Sequence, residues 1–194
     1  MSDSEDSQTP ERLLCHQRKS VKVFLLPSGK QFRVVAERED EVHHMRLSML
    51  VNQPSLRIVE IQCEMPGVPD AICRQAVTYF DPLIGRRVRP GLMHNLKTSP
   101  QSGCTHLVNL FQEACYNLTL GQSVRGREEV TGMFPGITEE QLYAIFMWFR
   151  PDLHNSCVRY ADGSPFMERL RNAKMPPKAE KLRAIANSQQ EAQR

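Results

Sequence analysis

The chain has 194 residues, of which 40% are hydrophobic, so it is long enough to bury one proper core. Its 25 Lys and Arg residues exceed its 22 Asp and Glu residues by three, and this small, dispersed excess does not indicate a nucleic-acid-binding protein. No stretch approaches the roughly 18 apolar residues of a membrane helix, and the first residues are acidic rather than a basic leader. We therefore expect a cytoplasmic protein that binds neither nucleic acid nor a membrane.

Alternation of apolar and polar residues predicts a β-sheet in the first third of the chain, after a flexible tail over residues 1–14. A hairpin is expected around the turn at residues 27–30. A third strand follows at residues 43–51, and a fourth strand carries Val59 and Ile61 on one face. Short links between these strands favour an antiparallel arrangement.

Helical spacing of apolar residues replaces this alternation after the predicted sheet. One helix is predicted to begin after Asp70, a second near Thr105 with its end at Gly121, and a third at Thr138. Gln141, three residues after Thr138, completes a capping box. A short helix is expected soon afterwards, near residue 165.

These elements predict an α+β domain over residues 15–173, in which an antiparallel sheet of about four strands packs against three or more helices. Residues 174–194 are expected to form a charged C-terminal helix or tail. No internal repeat is present.

The cysteines limit how a metal site could be built. They stand singly along the chain, at positions 15, 63, 73, 104, 115 and 157. Their density is below that of a secreted disulfide scaffold, so reduced thiols are expected. No two of them form a Cys-x-x-Cys pair, which argues against zinc ribbons and thioredoxin-type chemistry. Any metal site must therefore be assembled from distant segments.

Two cysteines are predicted to lie where helices begin. Free backbone N–H groups at a helix start stabilise a thiolate, the form of cysteine that binds metals, and this applies to Cys73 and Cys104. His106 follows two residues after Cys104. We therefore predict Cys73, Cys104 and His106 as metal ligands, with His43 or Cys157 as the fourth.

Other interpretations of the same residues stay open. His43 could be a hydrogen-bonded core histidine, and the carboxylate of Glu41 beside it could belong to a solvated turn. Cys63 and Cys115 lie on apolar faces and are interpreted as packing residues. His16 and His94 are interpreted as surface histidines.

The chain resembles an uncharacterised bacterial family of unknown function over most of residues 15–165. The most specific motif is Gly103-Cys104-Thr105-His106-Leu107. The other segments that carry this resemblance are Glu41-Val42-His43-His44-Met45, residues 64–73, Leu83-Ile84-Gly85 and Asn155-Ser156-Cys157. This resemblance implies no activity.

The order of the predicted elements is similar, more distantly, to that of iron–sulfur cluster assembly scaffold proteins. These scaffolds carry a ligand before a strand, a cysteine at the first helix and a histidine–cysteine pair at the last. The resemblance implies ligand roles for Glu41 or His43, for Cys73, and for Cys104 with His106. The histidine–cysteine order is altered here to Cys-x-His.

Three functions follow as hypotheses. The first is a metal-binding accessory protein that holds zinc or iron, alone or as an iron–sulfur cluster. The second is an enzyme with Cys104 as nucleophile and His106 or His43 as base. The third is a non-catalytic adaptor, or a subunit of a larger complex, that docks on a protein partner through the C-terminal helix with Leu182 and Ile185.

Overall fold

The computed structural model describes residues 11–92 and 103–191. The chain forms two compact units, which we call unit 1 (residues 1–121) and unit 2 (residues 122–194). The division of the chain predicted at residues 14 and 173 stays a prediction. His94 and most of the predicted N-terminal tail lie outside the described residues.

Unit 1 contains a four-stranded antiparallel sheet with the strand order β1-β2-β3-β4. The strands are β1 (Arg18–Leu25), β2 (Gln31–Glu39), β3 (His44–Asn52) and β4 (Ile58–Gly67). Inward side chains alternate with outward ones, so that Met45, Leu47 and Met49 are fully buried along β3. The predicted antiparallel sheet, and with the helices the α+β class, are confirmed.

A shift in register makes one strand prediction wrong. Leu50 lies opposite Glu60, whereas the next residue of β3, Val51, lies opposite Ile58. The unpaired Val59 is 39% exposed, whereas Ile58 is 1% exposed. An extra residue in one strand reverses the faces on which its neighbours lie, so Val59 and Ile61 do not share a face as predicted.

The long helix α1 (Thr105–Met133) buries the inner face of the sheet. The boundary between the units falls within this helix, after Gly121. Its buried side chains in unit 1 recur at helical spacing: Leu107, Leu110, Phe111, Ala114 and Leu118. Phe111 stacks on Phe80 with ring centroids 4.7 Å apart. The helix continues past Gly121, where its predicted end lies, because Gly121 has a helical rather than a left-handed backbone.

A 3₁₀ helix (Ala71–Thr78) stands where the sequence predicts the first helix. The predicted N-cap is present, since the carboxylate of Asp70 accepts a hydrogen bond from the backbone N–H of Ile72 at 2.9 Å. Ala76, Tyr79 and Phe80 are buried against the core of unit 1.

Unit 2 contains the end of α1 and the helices α2 (Glu139–Phe149), α3 (Pro165–Asn172) and α4 (Ala179–Glu191). Both hydrogen bonds of the predicted capping box between Thr138 and Gln141 are formed. The guanidinium of Arg159 lies 3.9 Å from the ring centroid of Phe166 and forms an ion pair with Glu139 at 2.9 Å. Among the helices of the described residues, none has both the length and the apolar character needed to cross a bilayer.

The C-terminal helix packs within unit 2. Ala179 and Ala186 are buried, and Leu182 packs against the apolar cluster formed by Val130, Leu142, Ile145 and Ala179. Of the two side chains predicted to dock on a partner, Ile185 is exposed at 47%, whereas Leu182 is half-buried. Leu182 instead contributes to the core of its own unit.

We expect opposite effects of alanine at two glycines of α1. A Cβ added to Gly121 would lie 2.6 Å from Cγ1 of Val23, and this stiff β-branched side chain cannot easily move. Gly121→Ala should therefore lower the free energy of unfolding by about 1–3 kcal/mol. Gly132→Ala meets no atom within 4 Å and should raise it by up to about 1 kcal/mol through helix propensity. Urea unfolding measures both changes, and a stabilising Gly121→Ala would contradict the close packing of α1 on β1.

A second pair of variants tests the packing of α4. Leu182→Ala should lower the free energy of unfolding of unit 2 by about 1–2 kcal/mol, because it removes part of an apolar cluster. Ile185→Ala, on the exposed side of the same helix, should change it by less than about 0.5 kcal/mol. Urea unfolding followed by the fluorescence of Trp148 reports on this cluster. Equal effects of the two substitutions would mean that α4 does not pack as described.

Candidate functional site

The candidate site is built around Asp40, in the turn between β2 and β3. One carboxylate oxygen, Oδ2, accepts hydrogen bonds from Nε and Nη2 of Arg38 at 3.0 and 2.8 Å. The other, Oδ1, accepts from the backbone N–H groups of Val42 at 3.0 Å and His43 at 2.8 Å. These donors, Arg38 first, hold the pKa of Asp40 well below its usual range. Asp40 is therefore an ionised carboxylate in a side chain that is only 7% exposed.

This carboxylate fixes the protonation pattern of His43. Nδ1 of the imidazole lies 3.0 Å from Oδ1 of Asp40. An ionised carboxylate can only accept, so Nδ1 carries the hydrogen and donates it. In the neutral ring, Nε2 is then left with a free lone pair. The side chain of His43 is 15% exposed, so this nitrogen belongs to a partly shielded ring.

His106 meets His43 from the first turn of α1. The two ring centroids are 4.2 Å apart and the ring planes are tilted by 48°. Burial, together with the positive charge of Arg38, lowers the pKa of His106. His106 is thus neutral over a wider pH range than a free imidazole. The structure therefore brings together two of the predicted site residues, which stand far apart in the sequence.

The predicted cysteine ligands do not complete this pair. Cys73, in the 3₁₀ helix, and Cys104, before α1, are half-buried and pack against the core of unit 1. Within the described residues, no three His, Cys, Asp or Glu side chains are placed to hold one metal ion. Cys73, Cys104 and His106 are accordingly not assembled into a shared site. Cys157 is exposed in unit 2.

The hypothesis of a Cys104 nucleophile gains no support from the hydrogen bonds of the site. In the described part of the chain, no histidine nitrogen forms a hydrogen bond with the thiol of Cys104. That hypothesis stays a prediction. Cys63 and Cys115 lie on apolar faces as interpreted, and burial raises the pKa of each thiol to about 12.

Glu41 makes contacts that the sequence does not indicate. Its carboxylate accepts hydrogen bonds from the thiol of Cys15 at 3.4 Å and from the backbone N–H of His16. It is engaged with the segment before β1, beside the Asp40–His43 pair. His44 is exposed and points away from His43, as expected for the next residue along an extended chain.

Sequence reasoning missed Arg38, the residue that holds Asp40 in place. The signal was the pair Arg38-x-Asp40 in the charged turn expected before the third strand, since an extended backbone there would put side chains two residues apart on the same face. That signal is weak, because charged residues two apart are common in solvated turns.

The two exposed cysteines should differ in reactivity. Hydrogen bonding to the carboxylate of Glu41 raises the pKa of Cys15, whereas the backbone N–H of Tyr160 lowers the pKa of Cys157. Because the thiolate is the nucleophile, iodoacetamide should alkylate Cys157 several-fold faster than Cys15 at pH 7.5. Peptide mass spectrometry of a time course measures both rates in one sample. Half-buried Cys104 serves as the slow reference, and fast alkylation of Cys104 would instead favour the thiol-enzyme hypothesis.

Comparison with known proteins identifies one similarity. Residues 26–117 match the model of a family described as a protein of unknown function (DUF2889). This segment runs from the end of the first hairpin strand into α1 and includes Arg38, Asp40, His43 and His106. No curated protein and no solved structure matches the chain. The resemblance to an uncharacterised family is thus confirmed for residues 26–117, and the resemblance to iron–sulfur scaffold proteins stays a prediction.

Proposed function

We propose that unit 1 binds a single zinc or iron ion through the imidazoles of His43 and His106, and that the protein is a metal-binding accessory protein. The observation that carries this proposal is the hydrogen bond from Nδ1 of His43 to Asp40, with the ring of His106 4.2 Å away. A histidine that binds a metal through one nitrogen commonly donates the other N–H to a carboxylate.

Asp40 would act on the metal through His43 rather than by direct contact. Its oxygens are already engaged by Arg38, by two backbone N–H groups and by His43 itself. The hydrogen bond orients the imidazole and makes Nε2 more basic, so that this nitrogen binds a metal ion more strongly. Arg38 in turn fixes the carboxylate, and its positive charge helps to keep the imidazole of His106 in the neutral form that a metal requires.

The spacing of the two rings fits this role after a small adjustment. Two imidazoles that bind one tetrahedral ion through nitrogen atoms at about 2.0 Å have ring centroids about 5 Å apart. The observed centroid distance is 4.2 Å. The rings would therefore separate by about 1 Å, which a rotation of the half-buried His106 side chain supplies.

The donor set favours a mononuclear ion over an iron–sulfur cluster. Neutral imidazole suits zinc and iron, whereas clusters are held mainly by thiolates. The two cysteines predicted as partners, Cys73 and Cys104, pack against the core. Two protein donors would leave coordination positions for water or for a donor from a protein partner. This arrangement suits transient metal binding or transfer better than a closed structural site.

Zinc titration of the full chain tests this proposal. Isothermal titration calorimetry should detect one zinc ion per chain, and His43→Ala or His106→Ala should abolish this binding. Asp40→Asn should weaken it by roughly 10–100-fold, because the imidazole loses its carboxylate partner. The control is His44→Ala, which removes an adjacent, exposed imidazole and should leave the affinity unchanged.

Two outcomes would contradict the proposal. One is stoichiometric zinc binding that survives both His43→Ala and His106→Ala, and the other is the absence of saturable binding in a folded wild-type protein. Circular dichroism of each variant distinguishes loss of the site from loss of the fold. The same titration with ferrous iron under anaerobic conditions distinguishes between the two metals.

A further inference from the structure

An arginine-rich surface lies at the end of the sheet away from the two histidines. β3 begins beside His43 and ends at Asn52, and the chain then turns towards β4. The segment after β4 returns to this turn and pairs with it through the backbone. Gly85 N–H donates to Ile58, Ile58 N–H donates to Arg86, and Val88 N–H donates to Leu56, at distances of 2.8–2.9 Å.

This pairing places two arginines directly opposite each other. Arg57 and Arg87 are partners in an antiparallel bridge, so their side chains extend from the same face. Nη1 of Arg57 also donates to the carbonyl oxygen of Gly85 at 2.9 Å, which holds this guanidinium beside the returning segment. Arg86 and Arg89 flank Arg87, and all four arginines are exposed.

No carboxylate neutralises this group in the described part of the chain. Arg57, Arg86, Arg87 and Arg89 form no ion pair with any described residue. Many other arginines do form one: Arg18, Arg38, Arg46, Arg125, Arg150, Arg159, Arg169 and Arg171. Like charges directly opposite each other destabilise a sheet, so the Arg57–Arg87 pair costs stability unless an anion lies between its members.

We propose that Arg57 and Arg87, flanked by Arg86 and Arg89, bind a phosphate group of a phosphate ester or pyrophosphate. The planar guanidinium presents paired N–H donors that match phosphate oxygens. A phosphate monoester carries close to two negative charges at one point and can therefore balance both members of the pair, whereas a single carboxylate balances one. Residues 54–58 and 84–91, which carry these arginines, include no aromatic side chain on which a nucleic-acid base could stack, and this favours a compact phosphate ligand over a nucleic acid.

Titration of the full chain with sodium pyrophosphate tests this inference. Calorimetry at low ionic strength should give saturable binding, and the double variant Arg57→Gln/Arg87→Gln should weaken it by at least about tenfold. The control Arg18→Gln/Arg46→Gln removes the same charge from two arginines that are paired with Glu39 and Glu37, and it should weaken binding by less than about twofold. Equal losses of pyrophosphate affinity in both double variants would overturn the proposal.

A second arm distinguishes a soluble ligand from a lipid headgroup. Co-sedimentation with phosphatidylcholine vesicles, with and without phosphatidic acid, would assign the phosphate to a lipid if binding requires both phosphatidic acid and the Arg57–Arg87 pair. Pyrophosphate binding without vesicle binding would assign it to a soluble phosphate compound. The absence of binding both to pyrophosphate and to vesicles that contain phosphatidic acid would overturn the proposal.

Thermal unfolding distinguishes a loss of ligand binding from a loss of folding in the variants. Because the two guanidinium groups repel each other, Arg87→Gln should leave the melting temperature unchanged or raise it in phosphate-free buffer. Pyrophosphate should raise the melting temperature of the wild type, and Arg87→Gln should abolish this rise. A lower melting temperature of Arg87→Gln without ligand would contradict the unneutralised pair on which the inference rests.

Discussion

The candidate metal site of unit 1 depends on the packing of α1 against the inner face of the sheet. Leu107, Leu110 and Phe111 are buried against the strands, and the first turn of the helix is thereby held above the turn between β2 and β3. His106 immediately precedes Leu107, so the backbone of the helix places its imidazole near this turn. The contact between the two imidazoles is thus a consequence of hydrophobic burial. This driving force is non-directional and does not itself orient the two rings.

Asp40 adds directional hydrogen bonds, which hydrophobic burial does not provide. The carboxylate receives hydrogen bonds from a guanidinium, two backbone N–H groups and an imidazole, and each of these fixes one neighbour. A charge with so little exposure is tolerable only because every oxygen is engaged. The same contacts leave Asp40 no free oxygen for a metal ion. Its effect on chemistry must therefore pass through the ring of His43.

Charge is distributed unevenly over unit 1, although the chain as a whole carries a net charge of only +3. Acidic residues from Glu37 to Glu41 lie near the histidines, whereas Arg57, Arg86, Arg87 and Arg89 gather at the opposite end of β3. Three of the acidic residues at the first end form ion pairs with arginines, whereas the four arginines at the other end have no ion-pair partner among the described residues. Net charge cannot indicate this, because it sums over positions that the fold separates.

The sequence by itself determined the elements whose signals are local. The alternation of apolar and polar residues predicted the four strands, and the Thr138–Gln141 capping box predicted the start of α2. Each of these signals depends on residues only a few positions apart. The prediction that Val59 and Ile61 share a face was wrong because a bulge depends on pairing with β3, which no local pattern contains. His43 and His106 were both identifiable as candidates, but Arg38 was not.

Only the tertiary structure decided which candidates meet. The cysteines at 73 and 104 carry the same local signal of a helix start, yet both pack against the core, and the histidines form the contact instead. The pairing of Arg57 with Arg87 likewise joins residues 30 positions apart, and its backbone hydrogen bonds appear only when the chain returns to the sheet. Side-chain chemistry follows from residue identity, whereas proximity between distant residues follows from how the whole chain buries its apolar surface.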